Sequence, residues 1–99
     1  MELTDAKKLR QNACLAAKLL RTLANAERLM ILCQLISGEQ SVGQLHKKST
    51  LSQSAFSQHL SILRASKIVS TRKDMQTVYY SLTNRDAIKL LESLYTIYC

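Results

Sequence analysis

The stretch LSQSAFSQHLSIL, residues 51–63, decides how this chain is interpreted. Its apolar residues recur at helical spacing, which predicts an amphipathic helix that Ser52 is well suited to cap. The apolar residues are Ala55, Phe56, Leu60 and Leu63. The opposite face carries small hydrogen-bonding side chains, namely Gln53, Ser54, Ser57, Gln58 and Ser61. Because Gln and Ser donate to and accept from base edges and phosphate oxygens, this face suits contact with nucleic acid.

A short helix is predicted immediately upstream, over Ser41–Lys48, with Val42 and Leu45 facing inward. The residues that follow it, Ser49–Leu51, match the length of the turn in a helix-turn-helix. In that motif the second helix lies in the major groove of DNA. We therefore expect the helix that begins after Ser52 to be a recognition helix.

Two runs rich in Val, Ile, Thr and Tyr follow, over Ile68–Arg72 and Thr77–Leu82, and predict a β-hairpin with a charged tip at Lys73–Gln76. A hairpin after a recognition helix is typical of a winged helix-turn-helix, in which the hairpin is the wing. Cations in and near the wing suit phosphate contacts. The bases are expected to be contacted by Gln53, Ser54, Ser57 and Gln58, with His59 beside the DNA, and the phosphates by Lys67, Arg72 and Lys73.

Composition indicates one small domain, over residues 1–99, with 46% hydrophobic residues and no proline. The formal net charge is +7, and six basic residues stand against one acid between Ser41 and Leu82, so the charge belongs mainly to the proposed DNA-binding half. No apolar run reaches the length of a membrane span, and the charged N-terminus does not resemble a signal peptide, so we expect a cytoplasmic protein without a membrane partner. The sequence shows no catalytic constellation, and neither enzymatic activity nor a cofactor is expected.

The remaining segments are predicted to be scaffold. Apolar and small residues at helical spacing predict a first helix from about Thr4 to Leu23. Asn25 is suited to cap a buried helix over Ala26–Ile36 that Gly38 ends. A last helix, over Asp86–Cys99, carries an apolar stripe at Ile88, Leu91, Leu94, Tyr95 and Tyr98. Because a small domain could hardly cover this stripe alone, the first and last helices are predicted to form the interface of a homodimer.

These residues resemble the ArsR/SmtB family of bacterial winged-helix repressors over nearly the whole chain. The segments that carry the resemblance are Leu23–Leu29, Ser41–Leu45, Leu51–Leu60, Thr71–Lys73 and Thr77–Tyr80. The resemblance implies a mainly α fold with five helices and a two-stranded wing in each subunit of a homodimer. It also implies binding to double-stranded DNA at an imperfect inverted repeat, with release by a chemical signal. Ala26 stands where many members have proline, a departure that concerns the helix start.

Two cysteines resemble those of the persulfide-responsive BigR/SqrR branch of the family, Cys33 in the second helix and Cys99 in the last one. This resemblance implies that reactive sulfur species act as the inducer, linking the two thiols by a disulfide or polysulfide and weakening DNA binding. The residues alone leave a second interpretation open, because Cys33 lies in an apolar run and a lone cytosolic cysteine is usually a small buried hydrophobe. Cys14 has no counterpart in the branch and is interpreted as interface packing.

Many members of the family sense metals, through a Cys-x-Cys in the third helix or through His and carboxylate ligands along the last one. Here the third-helix positions are Ser41 and Gly43, and the last helix contains no histidine. His46 is expected to be a surface residue, and no metal site is predicted. Three alternatives stay open: a repressor or anti-silencer without thiol sensing, a metal-responsive member, and a winged helix that binds an acidic protein partner.

Overall fold

The computed structural model describes residues 5–99, which form five helices and a small antiparallel sheet. The elements in chain order are α1 (Ala6–Leu23), α2 (Ala26–Ile36), β1 (Gln40–Ser41), α3 (Val42–Lys47), α4 (Gln53–Ala65), β2 (Val69–Asp74), β3 (Thr77–Leu82) and α5 (Arg85–Tyr98). The prediction of a winged helix-turn-helix with five helices and a hairpin wing is thereby confirmed. The predicted first helix began at Thr4, which lies outside the described residues. None of the helices within residues 5–99 is long and apolar enough to cross a membrane.

Each helix begins after a residue whose short side chain accepts a hydrogen bond from the backbone of the first turn. Ser52 Oγ accepts from the amide of Ala55 at 3.2 Å and so caps α4. The caps of the other helices are Asp5, Asn25, Ser41 and Asn84. A cap of this kind stabilises a helix by about 1 kcal/mol. The starts of α2 and α4 therefore follow from local sequence, and both agree with the prediction.

The sheet contains one strand more than the sequence predicted. Its order is β1, β3, β2, and all neighbours are antiparallel. The two residues of β1 pair with Tyr79 and Tyr80 of β3, which attaches the base of the wing to the segment that leads into α3. The predicted wing boundaries were also wrong by two residues, because Lys73 and Asp74 pair with β3 and only Met75 and Gln76 form the tip.

The core lies between α2, α4 and the sheet. Phe56, Leu60 and Leu63 fill it from α4, and Tyr80 enters it from the wing. The other buried hydrophobic residues are Leu23, Ile31, Leu32, Leu35, Leu45, Ile68, Val69, Ala87 and Leu91. Burial of a Leu or Phe side chain contributes about 1.5–3 kcal/mol. The recognition helix is thus fixed by packing against both the scaffold and the wing.

The first and last helices contribute little to this core. Leu23 is the buried residue of α1, and Ala87 and Leu91 are those of α5. Large apolar side chains on both helices are instead open to solvent, including Leu15 at 68% exposed and Tyr98 at 81%. Leu91 is 1% exposed and belongs to the core of the single chain, so its predicted place in the dimer interface was wrong. Its side chain is covered without a partner.

Candidate nucleic-acid interface

The recognition helix α4 exposes the polar face that the sequence predicted. Phe56, Leu60 and Leu63 are buried on its inner side. The predicted base contacts Gln53, Ser54, Ser57 and Gln58 are all exposed. His59 is half-buried, at the border between the two faces. The structure therefore brings the four candidate base contacts together on one open surface of a well-packed helix, as entry into a major groove requires.

Two arginines hold α4 in place on different sides. Arg64 donates to the hydroxyl of Tyr80 in β3, and to Ser61 Oγ at 2.9 Å. Arg28 of α2 donates to His59 Nδ1 at 3.2 Å. His59 and Arg64 are five residues apart, so their side chains leave the helix about 140° from each other. The rotation of α4 about its own axis is consequently restrained from two directions.

The turn before α4 is fixed by a histidine that was expected at the surface. His46 is half-buried, and its Nε2 lies 3.0 Å from the carbonyl oxygen of Leu51. A carbonyl oxygen only accepts, so Nε2 carries the proton. The imidazole also packs against Phe56, with ring centroids 4.8 Å apart. His46 thus joins α3, the turn and α4, and the prediction of a surface residue was wrong.

Lys67 occupies the bend between α4 and the wing in a backbone conformation that favours glycine. Its φ is 57°, in the left-handed region. The amide of Lys67 donates to the carbonyl of Arg64 at 3.0 Å, and the amide of Ile68 donates to the carbonyl of Leu63 at 3.2 Å. This pair of hydrogen bonds is a Schellman motif, which usually has glycine where Lys67 stands. An exposed cation at this position lies beside the end of the recognition helix.

Arg72 is engaged by an acid that the sequence analysis missed. Its Nε and Nη2 donate to the two carboxylate oxygens of Glu39, at 2.8 and 2.6 Å. The guanidinium carbon also lies 4.3 Å from the centroid of the Tyr79 ring. The hydrogen bond from Arg72 lowers the pKa of Glu39, and the same bond raises the pKa of Arg72. No sequence signal pairs positions 33 residues apart, because the register of β2, β3 and β1 brings them together.

This is the one salt bridge found within residues 5–99. Arg72 is therefore occupied at the base of the wing, whereas the cations of Lys67 and Lys73 are exposed and outside that pair. Of the three predicted phosphate contacts, two are available at once. The third, Arg72, would contact a phosphate only by sharing its guanidinium with Glu39 or by leaving Glu39.

One cysteine of the predicted switch, Cys33, lines a cleft between α2 and α5, and the other, Cys99, follows the last residue of α5. Cys33, Ile36 and Ser37 of the α2 end line one wall, and Glu92, Tyr95 and Thr96 of α5 line the other, around a volume of about 390 Å³. Cys33 is exposed, not buried in its apolar run, so the alternative of a buried hydrophobe does not describe it. The pKa of the Cys33 thiol is raised. The larger cause is partial desolvation of the thiol, and the smaller cause is the charge of Cys99.

Cys14 lies apart from this cleft, on the exposed side of α1. It lines a shallow apolar groove together with Leu9, Ala13 and Ala17. The three cysteines are free thiols, and no group of three or more His, Cys, Asp or Glu side chains within residues 5–99 is arranged to hold a metal ion.

A helix-turn-helix with an open polar recognition helix and an adjoining β-hairpin defines a winged-helix DNA-binding protein. The sequence of residues 25–71 matches the family of bacterial regulatory proteins of the arsR type. The chain belongs to this family, whose members are DNA-binding transcriptional regulators.

Full-length relatives support the same assignment. The transcriptional activator HlyU of Vibrio cholerae is 44% identical over 93 residues, which cover 94% of this chain and 86% of HlyU. The biofilm growth-associated repressor of Xylella fastidiosa is 45% identical over 83 residues, covering 84% and 73% of the two chains. The structure of reduced HlyU from Vibrio cholerae superimposes with a TM-score of 0.89 at 44% identity, covering 94% of this chain and 98% of that one.

Proposed function

We propose that the protein is a dimeric repressor that binds an inverted repeat in double-stranded DNA and releases it when Cys33 and Cys99 are linked. The observation that carries the DNA-binding part is the polar face of α4, where four hydrogen-bonding side chains are exposed above a buried apolar face. In this proposal Gln53, Ser54, Ser57 and Gln58 contact base edges. Lys67 and Lys73 bind phosphates. Arg72 adds a phosphate contact when its guanidinium is released from the ion pair with Glu39.

A second copy of the chain is the proposed cover for α1 and α5. The exposed apolar residues of these helices are Leu9, Leu15, Leu20, Leu94, Tyr95, Ile97 and Tyr98. An apolar surface of this extent is typical of an interface. A two-fold axis there would place two α4 helices in successive major grooves, about 34 Å apart. An inverted repeat in the DNA matches that symmetry.

The proposed switch is oxidation of two thiols, Cys33 in the cleft between α2 and α5 and Cys99 at the end of α5. Two thiols and one persulfide, RSSH, give a disulfide, RSH and H₂S, so the thiols lose two electrons and the sulfane sulfur gains them. A second RSSH supplies one more sulfur for a trisulfide and leaves a second RSH. A direct disulfide needs Cα atoms within about 7 Å, so a wider gap favours the longer bridge. Either link ties α2, beneath the recognition helix, to the proposed dimer helix.

The DNA-binding part is tested by selecting double-stranded sites from a random library with the wild-type protein. We expect an enriched inverted repeat, bound at least 10³-fold more tightly than random DNA, with affinity that falls as salt rises. Enrichment of no sequence, together with binding only to acidic proteins, would favour the protein-interaction alternative. Sedimentation of the protein on the selected site then gives the number of chains bound.

The switch is tested by treating the wild type, Cys33→Ser, Cys99→Ser and Cys14→Ser with an organic persulfide. Mass spectrometry and titration of the selected site are performed on the same samples. We expect the wild type and Cys14→Ser to form the link, lose affinity and recover it with reductant. DNA release by Cys33→Ser and Cys99→Ser, or a linked wild type with unchanged affinity, contradicts the thiol switch and leaves the repressor.

One relative favours a second candidate for the same site. HlyU is described as a transcriptional activator, whereas the Xylella fastidiosa relative is described as a repressor. A winged helix can raise transcription by displacing a silencing protein from DNA. Transcription from a promoter that carries the selected site, measured with and without a competing DNA-coating protein, separates anti-silencing from repression.

A further inference from the structure

Arg28 makes hydrogen bonds to two separate parts of the chain from one half-buried side chain. Its Nε donates to the carbonyl of Thr22 at 2.6 Å, and its Nη2 to that of Arg21 at 3.3 Å, both in the last turn of α1. Its Nη1 lies 3.2 Å from Nδ1 of His59 on the recognition helix. Arg28 itself stands in the first turn of α2. A single guanidinium therefore joins the end of α1 and the start of α2 to α4.

The contact with His59 fixes the proton on the imidazole. A guanidinium has five N–H donors and no acceptor, and it stays charged at all physiological pH values. The Nδ1 atom of His59 must then accept, so the ring is neutral and its proton is on Nε2. The partner thus determines both the tautomer and the orientation of the ring. Nε2–H remains as the donor that Arg28 does not use.

We propose that Arg28 is a positioning residue for DNA binding, which holds His59 so that its Nε2–H donates to a phosphate oxygen of the operator. His59 stands between exposed Gln58 and buried Leu60, at the border of the face that enters the groove. A side chain at that border meets the groove wall, where phosphates lie. The proposal rests on the proposed DNA binding by α4, and it adds a donor and the residue that prepares it.

The chain contains an internal control for this assignment. It has two histidines, and His46 carries its own Nε2 proton because it donates to the Leu51 carbonyl. His46 has no contact with Arg28 among the hydrogen bonds of residues 5–99. A loss of the Arg28 side chain should therefore alter the ring of His59 and leave that of His46 unchanged.

The first measurement is the long-range ¹H–¹⁵N NMR spectrum of the imidazole rings in the DNA-free protein. In the wild type we expect His59 as a single Nε2–H tautomer. In Arg28→Met we expect a mixture of both neutral tautomers for His59, with the His46 pattern retained. A wild-type His59 that is protonated on Nδ1 overturns the proposal, whatever the protein does with DNA.

The second measurement is titration of the selected operator with Arg28→Met, His59→Phe and the double variant. Loss of one hydrogen bond should weaken binding about fivefold in either single variant. The double variant should be no weaker than His59→Phe, because Arg28 acts through His59. His59→Gln, whose amide keeps one donor and one acceptor, should bind more tightly than His59→Phe. The His59→Gln variant also keeps both hydrogen bonds of Arg28 to α1, so the comparison remains possible if Arg28→Met fails to fold.

The outcomes separate this proposal from the function on which it rests. A wild type without a specific operator refutes the DNA-binding function itself, and the NMR result still decides the tautomer. Specific binding by the wild type, with unchanged affinity in His59→Phe, overturns the proposed phosphate contact. If the loss of operator affinity in the double variant equals the product of the losses in Arg28→Met and His59→Phe, Arg28 acts structurally and not through His59.

Discussion

The recognition helix and the last helix are both amphipathic, yet the chain treats their apolar sides differently. On α4 the apolar side is buried within the same chain, and the exposed side is polar. On α5 only Ala87 and Leu91 are buried among the described residues, while Leu94, Tyr95, Ile97 and Tyr98 face solvent. The DNA-binding half is therefore complete in one chain. The α1 and α5 half has an apolar surface that a partner should cover.

In the proposed dimer, this difference assigns stability and assembly to different residues of α5. Leu91 and Leu94 are three residues apart, and they are 1% and 37% exposed. We expect Leu91→Asp to destabilise the single chain by upward of about 4 kcal/mol, because it places an unpaired charge in the core. We expect Leu94→Asp to leave a folded monomer with a weakened dimer.

Circular dichroism and sedimentation at micromolar concentration distinguish the two effects. Ser93→Asp, at the exposed neighbour of Leu94, is the matched control and should remain a wild-type-like dimer. A wild-type-like dimer in Leu94→Asp would place the interface on another surface of the molecule.

Within the DNA-binding half, Lys67 combines a strained backbone with an exposed cation. Replacement by glycine relieves the left-handed conformation, and we expect Lys67→Gly to raise the free energy of unfolding by about 1 kcal/mol. The same change should weaken binding to all DNA and lower the salt slope by about one. Denaturant unfolding and salt-dependent titration measure the two effects. If Lys67→Gly lowers the free energy of unfolding as well as the DNA affinity, the Schellman motif does not favour glycine at this position.

The ion pair of Glu39 and Arg72 predicts a smaller effect, with opposite signs for its two members. Glu39→Gln releases Arg72, so binding to random DNA should strengthen by about twofold to fivefold and the salt slope should rise. Arg72→Ala should weaken binding to all DNA by a similar factor and lower the slope. Equal slopes in the wild type and in both variants would exclude Arg72 from the phosphate contacts.

The pH dependence of this ion pair follows from the lowered pKa of Glu39. A carboxyl with a lowered pKa stabilises the fold fully above its ordinary value of 4.5, and this stabilisation is lost as the pH falls through the folded-state pKa. The wing should therefore keep its position between pH 7 and about pH 5. The ring resonances of Tyr79, which packs on Arg72, report any release.

The smallest predicted effect concerns the rate at which the Cys33 thiol is alkylated. Because its pKa is raised above 9.0, its thiolate fraction is low at neutral pH. We expect alkylation of Cys33 by iodoacetamide to continue accelerating above pH 9, as followed by peptide mass spectrometry. Cys99→Ser removes one cause of the raised pKa, so it should move the acceleration to lower pH. An unchanged pH dependence of Cys33 alkylation in Cys99→Ser would show that the two thiols are too far apart to interact.

Features set by neighbouring residues were predictable from the sequence. Asn25 and Ser52 start α2 and α4 where expected, because a cap acts within one turn. Gly38 follows α2 with a φ of +135°, a conformation that glycine adopts without strain. The exposed polar face of α4 also follows from helical spacing.

Features set by distant residues were not predictable. The strand β1 has two residues, and it exists because β3 lies beside it. Glu39 and Arg28 gave no signal, since their partners Arg72 and His59 become neighbours only in the folded chain. The exposure of Cys33 depends on which side of α2 meets the core, and the surrounding apolar run obscured that orientation.

Whether α4 reads DNA sequence is decided by titrating the selected operator and random DNA with Gln58→Ala. Gln11→Ala, at an exposed glutamine of α1, is the matched control. We predict that Gln58→Ala costs about 1–3 kcal/mol on the operator and little on random DNA, with the control unchanged on both. Equal losses on both DNAs, or no loss on the operator, would show that Gln58 of α4 does not read the DNA sequence.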